Sequence, residues 1–194
     1  MDTPRGTGAP EVPSRNGDVL GLYLVTWHPG PVDPQENEHV RVVSIDIAPG
    51  RRLPMKSVAE VYAEAGKGLL GDRYHGSRHR HVTLQSAAGL AAAEADLGVP
   101  VLPAGTRRNL TVDHGAIPTA PGTRIRIGAV LLEVVRVAAP CRLLDDSIGP
   151  GAAAALRRRA GSVCRVLESG TISLGAVVEV LDAAEPTGAR APHQ

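Results

Sequence analysis

The sequence predicts a mainly β fold, a closed or partly closed β-barrel with a few short helices. Three observations carry that expectation. Apolar runs are short and punctuated by glycine turns, and few stretches are long enough for a helix. Phe is absent and Trp27, Tyr23, Tyr62 and Tyr74 are the only aromatics, so burial falls to Val, Leu, Ile and Ala, which suits β-branched strands. A valine-rich strand set also creates sheet edges that closure would remove.

The 194 residues are enough for one domain with a substantial core. Residues 1–39 read as a partly disordered N-terminal extension rich in Gly, Pro and charge, with one candidate strand at Val19–Trp27. The domain is expected over residues 40–182, and residues 183–194 read as a flexible tail. Val40–Ile47 alternates in its later half as a half-buried strand should. Val58–Ala65 has a capping-box pair in Ser57 and Glu60, yet its period-two pattern favours a strand. A glycine-punctuated loop, Gly66–Gly76, follows; its spacing is wrong for a P-loop, and it serves to present Asp72 and Arg73, a candidate structural ion pair.

His81–Leu84 is a short strand, and Ser86 is placed to cap a helix that runs to about Leu97, where Gly98 and Pro100 stop it. Thr106-Arg107-Arg108-Asn109 leads into the strand Leu110–Val112. Arg124–Ile127 alternates, Gly128-Ala129 fits a two-residue turn with Gly first, and Val130–Val137 returns. Gly151–Ala160 reads as an alanine-arginine helix stopped by Gly161, Val163–Leu167 as a strand, and Ile172–Val180 as a second hairpin turning at Gly175-Ala176.

A formal net charge of +1 argues against a nucleic-acid binder. The cysteines are Cys141 and Cys164, too few for a disulfide framework, and no apolar run is long enough for a signal core or a membrane span. The expectation is a cytoplasmic protein with reduced thiols and no membrane partner. Lysine is confined to Lys56 and Lys67, neither beside a recognisable phosphate cup, so pyridoxal phosphate is not expected on this chain.

Chemistry is expected at Cys141. Pro140 ends the strand because it cannot donate to a ladder, and the cysteine follows on the loop with Arg142 beside it. A cationic neighbour favours thiolate, the form that attacks electrophiles, carries sulfur or binds a metal. The bland alternative is a small buried hydrophobe, and Cys164, inside a valine-leucine run, fits that description. Arg73, Arg78, Arg80, Arg107, Arg108 and Arg142 fall in loops or at strand starts, where guanidinium forks could converge on an anion. Arg107 and Arg108 should face opposite ways if extended. His75, His79 and His81 lack the cysteine or carboxylate company of a zinc site, and exposed or ligand-facing imidazoles are expected instead. No Gly-x-Ser-x-Gly elbow supports a serine hydrolase.

Taken in order, Gly68-Leu69-Leu70-Gly71-Asp72-Arg73-Tyr74, Val82-Thr83-Leu84, Gly105-Thr106-Arg107-Arg108-Asn109-Leu110, Ile127-Gly128 with Leu132-Glu133-Val134, and Pro140-Cys141 resemble the MOSC domain. This is the module at the C-terminus of molybdenum cofactor sulfurases, also found as stand-alone bacterial proteins. The resemblance implies a barrel of the MOSC or pyruvate-kinase-barrel kind, with Cys141 at the family's characteristic cysteine. It implies a persulfide carried there, received from a pyridoxal-phosphate-dependent cysteine desulfurase or another sulfur donor. In cofactor-binding relatives the matching cysteine ligates molybdenum and basic residues hold the pterin phosphate. The matching positions for a small anionic ligand are Arg73, Arg107, Arg108 and Asn109, with Arg142, His75 and Thr83 beside them. The chain departs from the family pattern at Gly175-Ala176, where a Gly-Asp pair is usual.

The functional expectation, leaning to an enzyme, is therefore a sulfur carrier or sulfurtransferase using Cys141 as persulfide or thiolate in an arginine-lined pocket. The alternatives are a molybdenum-cofactor reductase of N-hydroxylated compounds with Cys141 as the metal ligand, a C–S bond enzyme of a specialised pathway, and a non-catalytic anion-binding module.

Overall fold

The structure, a computed structural model, describes residues 39–181. The expected N-terminal extension, its strand at Val19–Trp27 and the tail lie outside the described residues, apart from the extension's last residue. Eleven strands and three α-helices follow in the order β1 (Val42–Ile47), β2 (Lys56–Ser57), β3 (Glu60–Glu64), β4 (Gly68–Leu69), β5 (Val82–Ser86), α1 (Ala87–Leu97), β6 (Leu110–Val112), β7 (Arg124–Ile127), β8 (Val130–Val137), α2 (Leu143–Ser147), α3 (Ala152–Ala155), β9 (Ser162–Glu168), β10 (Gly170–Ser173) and β11 (Val178–Leu181). None of these helices is long and apolar enough to cross a membrane.

An eight-stranded sheet runs β11-β7-β8-β9-β5-β6-β1-β2, and a three-stranded sheet runs β10-β3-β4. The long sheet curls without closing into a continuous barrel. β11 at one end meets the start of β1, next to the other end, at an isolated bridge between Arg41 and Val177, where the Val178 N–H donates to the Val40 carbonyl at 2.7 Å. β5 and β6 are the parallel pair of the long sheet; the crossover this requires is supplied by α1 and a 3-10 turn at Pro103–Thr106.

The main core, including Leu84, Leu110, Ile125, Ile127, Leu132 and Val134, lies on the sheets. Each such side chain contributes about 1.5–3 kcal/mol on burial. A smaller cluster of Leu90, Ala93, Val101, Leu144, Ala152 and Leu156 packs α1, α2 and α3 together. Helices as short as α2 and α3 have no stability of their own, so this cluster is what holds them.

Three local expectations are corrected. Ser86 occupies the N-cap position of α1 with an extended backbone, but its hydroxyl makes no capping bond and is buried without a partner. The alanine-arginine helix is confined to Ala152–Ala155, because the chain tightens into 3-10 bonds and Arg158 adopts φ 68°, which a right-handed helix cannot continue. The segment Ile172–Val180 is not a hairpin. β10 pairs with β3 and β11 with β7, and Gly175 and Ala176 instead bond the backbone of Val42. The first hairpin is as expected, with Ile127 opposite Val130 and Gly128 at φ 58°. The lean toward a strand at 58–65 also holds, as β3.

Gly161, just before β9, has the tightest surroundings of the glycines among the described residues. A Cβ there would lie 1.9 Å from the Leu84 carbonyl oxygen, and its φ is 71°. Gly161→Ala should therefore lose several kcal/mol, roughly 3 or more, through combined clash and left-handed strain. Thermal denaturation checks this: a melting temperature equal to wild type would contradict the packing described.

Candidate functional site

The site is built on a buried polar network. β5 places Thr83 beside Asn109, the residue that precedes β6. Asn109 Oδ1 accepts from the Thr83 N–H (3.1 Å) and hydroxyl (2.8 Å), and the Asn109 N–H donates to Thr83 Oγ1 at 2.9 Å. The amide Nδ2 donates to the Asp46 carbonyl at 3.1 Å and to Asp72 Oδ2 at 3.2 Å. Asp72 also accepts from the backbone N–H groups of Ala48 and Tyr74, both at 3.0 Å. The loop after β4 is thereby tied to the end of β1 and the start of β6. Asp72 and Arg73 stand 3.7 Å apart as the ion pair the sequence suggests.

This loop carries the cations. The guanidinium groups of Arg73 and Arg80 stack on the Tyr74 ring, 4.7 and 4.2 Å from its centroid. Arg80 Nε is buried with no hydrogen-bond partner. Burial lowers the Arg80 pKa, Tyr74 opposes this, and nearby Arg73 and Arg136 add to the lowering. Arg107 is not extended: its φ is 60°, and its side chain donates to the Leu53 and Arg51 carbonyls while its own carbonyl accepts from Arg73. It and Arg108 still diverge, because Arg108 turns inward. Burial brings the Arg108 pKa down to about 10, Arg80 adds to this, and Cys141 and Tyr74 oppose it, so the group stays charged at neutral pH. Arg108 Nη2 donates to the Ala138 (2.7 Å) and Ala139 (3.2 Å) carbonyls. That contact fixes the two residues that follow β8, the second of them two positions before Cys141.

Cys141 is exposed. Its carbonyl accepts the Leu144 N–H at 2.9 Å, starting α2, and Arg142 occupies the N-cap. The thiol lies at a groove of about 850 Å³ walled by Pro140, Arg142, Asp145, Ala154, Arg157 and Arg158, among others. Cys141 is also among the groups that favour the charged forms of Arg107 and Arg108. Cys164 is sealed in the core, where burial pushes its thiol up to about 12.

The structure thus brings Cys141, Arg142, Arg107 and Arg108 into one neighbourhood, with Arg73 joined through Arg107 and Tyr74. Thr83 and Asn109 are buried and their polar atoms are engaged by one another and by the backbone, so they position the site. His75 Nε2 lies 3.0 Å from Glu64 Oε2 on the second sheet. His81 is not exposed: its Nδ1 accepts the Val166 N–H at 3.0 Å, and burial holds the imidazole below its usual range. Among the described residues no group of three or more His, Cys, Asp or Glu side chains could hold a metal ion.

Sequence reasoning missed Tyr74, Arg136, Arg157 and Arg158, and named Arg80 among the anion-binding candidates without its stack on Tyr74. An arginine on either side of a lone aromatic, Arg73-Tyr74 with Arg80, was the available signal for the stack. Only the fold could bring Arg136 and Arg158 close. Arg107 and Arg158 are also the non-glycine residues with positive φ among the described residues, each at about 1–2 kcal/mol of backbone cost.

The geometry has relatives. A family model described as the MOSC domain matches residues 71–179. The fold is similar to the crystal structure of the YuaD protein from Bacillus subtilis, with TM-score 0.66 and 20% identity over 73% of this chain and 95% of that one. It is also similar to YiiM from Geobacillus stearothermophilus, with TM-score 0.60 and 18% identity over 74% and 75%. YiiM from Escherichia coli matches with TM-score 0.55 and 20% identity over 73% and 69%. No curated protein matches the chain.

If Asn109 holds the site together, its loss should show in stability as well as in ligand affinity. Asn109→Ala removes the amide that pairs with the Thr83 N–H, the Asp46 carbonyl and Asp72, should cost about 1–3 kcal/mol in all, and should lower the melting temperature by roughly 2–12 °C. Arg107→Ala, at the surface, should shift it little. Equal melting of wild type and Asn109→Ala would contradict the network.

Proposed function

The chain belongs to the MOSC domain family, and on that premise we propose that it carries sulfur on Cys141. The observation that supports this reading most is an exposed cysteine lining a groove whose wall also carries Arg142, Arg157 and Arg158. A sulfur carrier needs an accessible thiol, a positive surround for anionic donors and thiolates, and no second thiol nearby to resolve the persulfide. Cys164 is buried with its proton held, so it meets none of the requirements for exchange.

The step is an exchange without net redox. The Cys141 thiolate attacks the outer sulfur of a donor persulfide. The Sγ–S bond forms as the donor S–S bond breaks, and the electron pair leaves on the donor thiolate. The transferred sulfur keeps its proton, and release to an acceptor thiolate is the same step reversed. A cysteine desulfurase or a low-molecular-weight persulfide is the donor class this requires. Arg108 holds the backbone before Cys141 in place through Ala138 and Ala139, while Arg107 contributes positive charge near the reacting sulfur.

One observation favours a second reading. The buried, unpartnered Arg80 Nε, set among Arg73, Tyr74 and Arg108, suits an anionic group larger than a thiolate. The residues present fit a molybdenum cofactor: Cys141 would hold the metal and Arg73, Arg80, Arg107 and Arg108 the phosphate. When bound, that group supplies redox chemistry of the kind that reduces N-hydroxylated compounds.

Incubation with a donor persulfide followed by peptide mass spectrometry separates the readings. The proposal predicts one added sulfur atom on the Cys141 peptide, lost in Cys141→Ser and retained in Cys164→Ser. Persulfide remaining in Cys141→Ser removes Cys141 from the role. Molybdenum in protein from a cofactor-competent host, with no persulfide formed, favours the second reading.

A further inference from the structure

The groove beside Cys141 carries positive charge that the sulfur-transfer step does not require. Its wall includes Arg142, Arg157 and Arg158. Among the described residues none of these side chains makes an ion pair, whereas the next arginine, Arg159, pairs with Asp96 and donates to the Ala155 carbonyl. The three-arginine run Arg157-Arg158-Arg159 is therefore divided: one member braces α1, and two face the groove. The one carboxylate in the wall, Asp145, accepts the Ala153 N–H at 2.9 Å, so it is engaged in holding α3. Positive charge exceeds negative across the groove. Arg158 reaches its place only through a left-handed backbone, a conformation that persists at a non-glycine residue when the surroundings impose it.

We propose that this groove binds the carboxylate of a low-molecular-weight thiol or persulfide, placing that molecule's sulfur at Cys141, with Arg158 and Arg157 as the specificity-determining residues. The volume of about 850 Å³ is in the range of small-molecule sites and far exceeds what a sulfide ion needs. A guanidinium recognises carboxylate through paired hydrogen bonds, and an unpaired one at a groove wall is free to do so. Ala153, Ala154 and Val137 supply the apolar surface against which a short carbon skeleton can lie. The inference rests on the sulfur-carrier reading only in naming a thiol as the ligand.

The test uses the full chain and calorimetric titration with S-methylglutathione, which carries the carboxylates but cannot transfer sulfur. Its diethyl ester has the same skeleton without those charges. The free acid should bind about tenfold more tightly than the diester at low ionic strength, as expected for a charge-assisted hydrogen bond. In Arg158→Gly that difference should largely vanish, while the melting temperature stays equal or rises because glycine accepts φ 68° without strain. Equal affinity for acid and diester in wild type, or an unchanged preference in Arg158→Gly, overturns the proposal. Should Arg158→Gly fold poorly, Arg157→Ala with Arg158→Lys gives the same reading, because lysine cannot form the paired bonds. Binding of the free acid without any persulfide on Cys141 would leave the groove assignment standing and sink the sulfur-carrier reading. Persulfide formation indifferent to the donor's carboxylates would do the reverse.

Discussion

The constraint on which the site depends is the need to satisfy the amide of Asn109 in the interior. Four elements meet there: β1 through Asp46, β5 through Thr83, the start of β6, and the loop after β4 through Asp72. A buried amide or carboxylate left unpaired costs as much as several surface contacts contribute, so the group is stable only when complete. Its completion sets the loop that presents Arg73 and Tyr74. It also fixes the point at which Arg107 and Arg108 diverge. The polar side chains most easily mistaken for ligand contacts are in this way the frame that orients the cations around them.

Concentrating arginines at one end of a fold is unfavourable, since like charges repel and burial penalises each. The structure offsets this locally. Arg73 and Arg80 share the Tyr74 ring, Arg73 keeps Asp72 close, and Arg108 is solvated by two backbone carbonyls. The carbonyl partners stabilise the cation without cancelling its charge. Arg108 therefore keeps its charge at neutral pH while it holds the backbone that leads to Cys141. The same contact that solvates Arg108 sets the strand end carrying the thiol, so charge and nucleophile are positioned by one interaction.

Much of the fold was legible in the residues. Alternation at Arg124–Ile127, the Gly128 turn and the glycine-proline stop after Leu97 each report a local rule, and each holds. The failures have a common cause. Gly175-Ala176 has hairpin chemistry, but its backbone bonds Val42, a partner some 130 residues away that no local pattern reveals. Ser86 has a capping side chain whose hydroxyl is buried without a partner. At the site, Cys141 was marked by Pro140, and Cys164 by its valine-leucine surroundings. Arg157 and Arg158 were hidden inside an apparent helix, because nothing local distinguishes a solvated arginine from one that walls a groove. The same limit made His81 read as exposed or ligand-facing when its ring accepts a backbone N–H of β9.

Cys141 shares its groove with Arg142, Arg157 and Arg158, so an anionic reagent should be drawn to its sulfur. The most direct measurement is the ratio of its alkylation rates by iodoacetate, which is anionic, and iodoacetamide, which is neutral, followed on the Cys141 peptide at low ionic strength. The ratio should be roughly three- to tenfold higher in the native protein than in the same protein unfolded in urea, and should collapse as salt is added. A native ratio equal to or below the unfolded one would contradict that attraction.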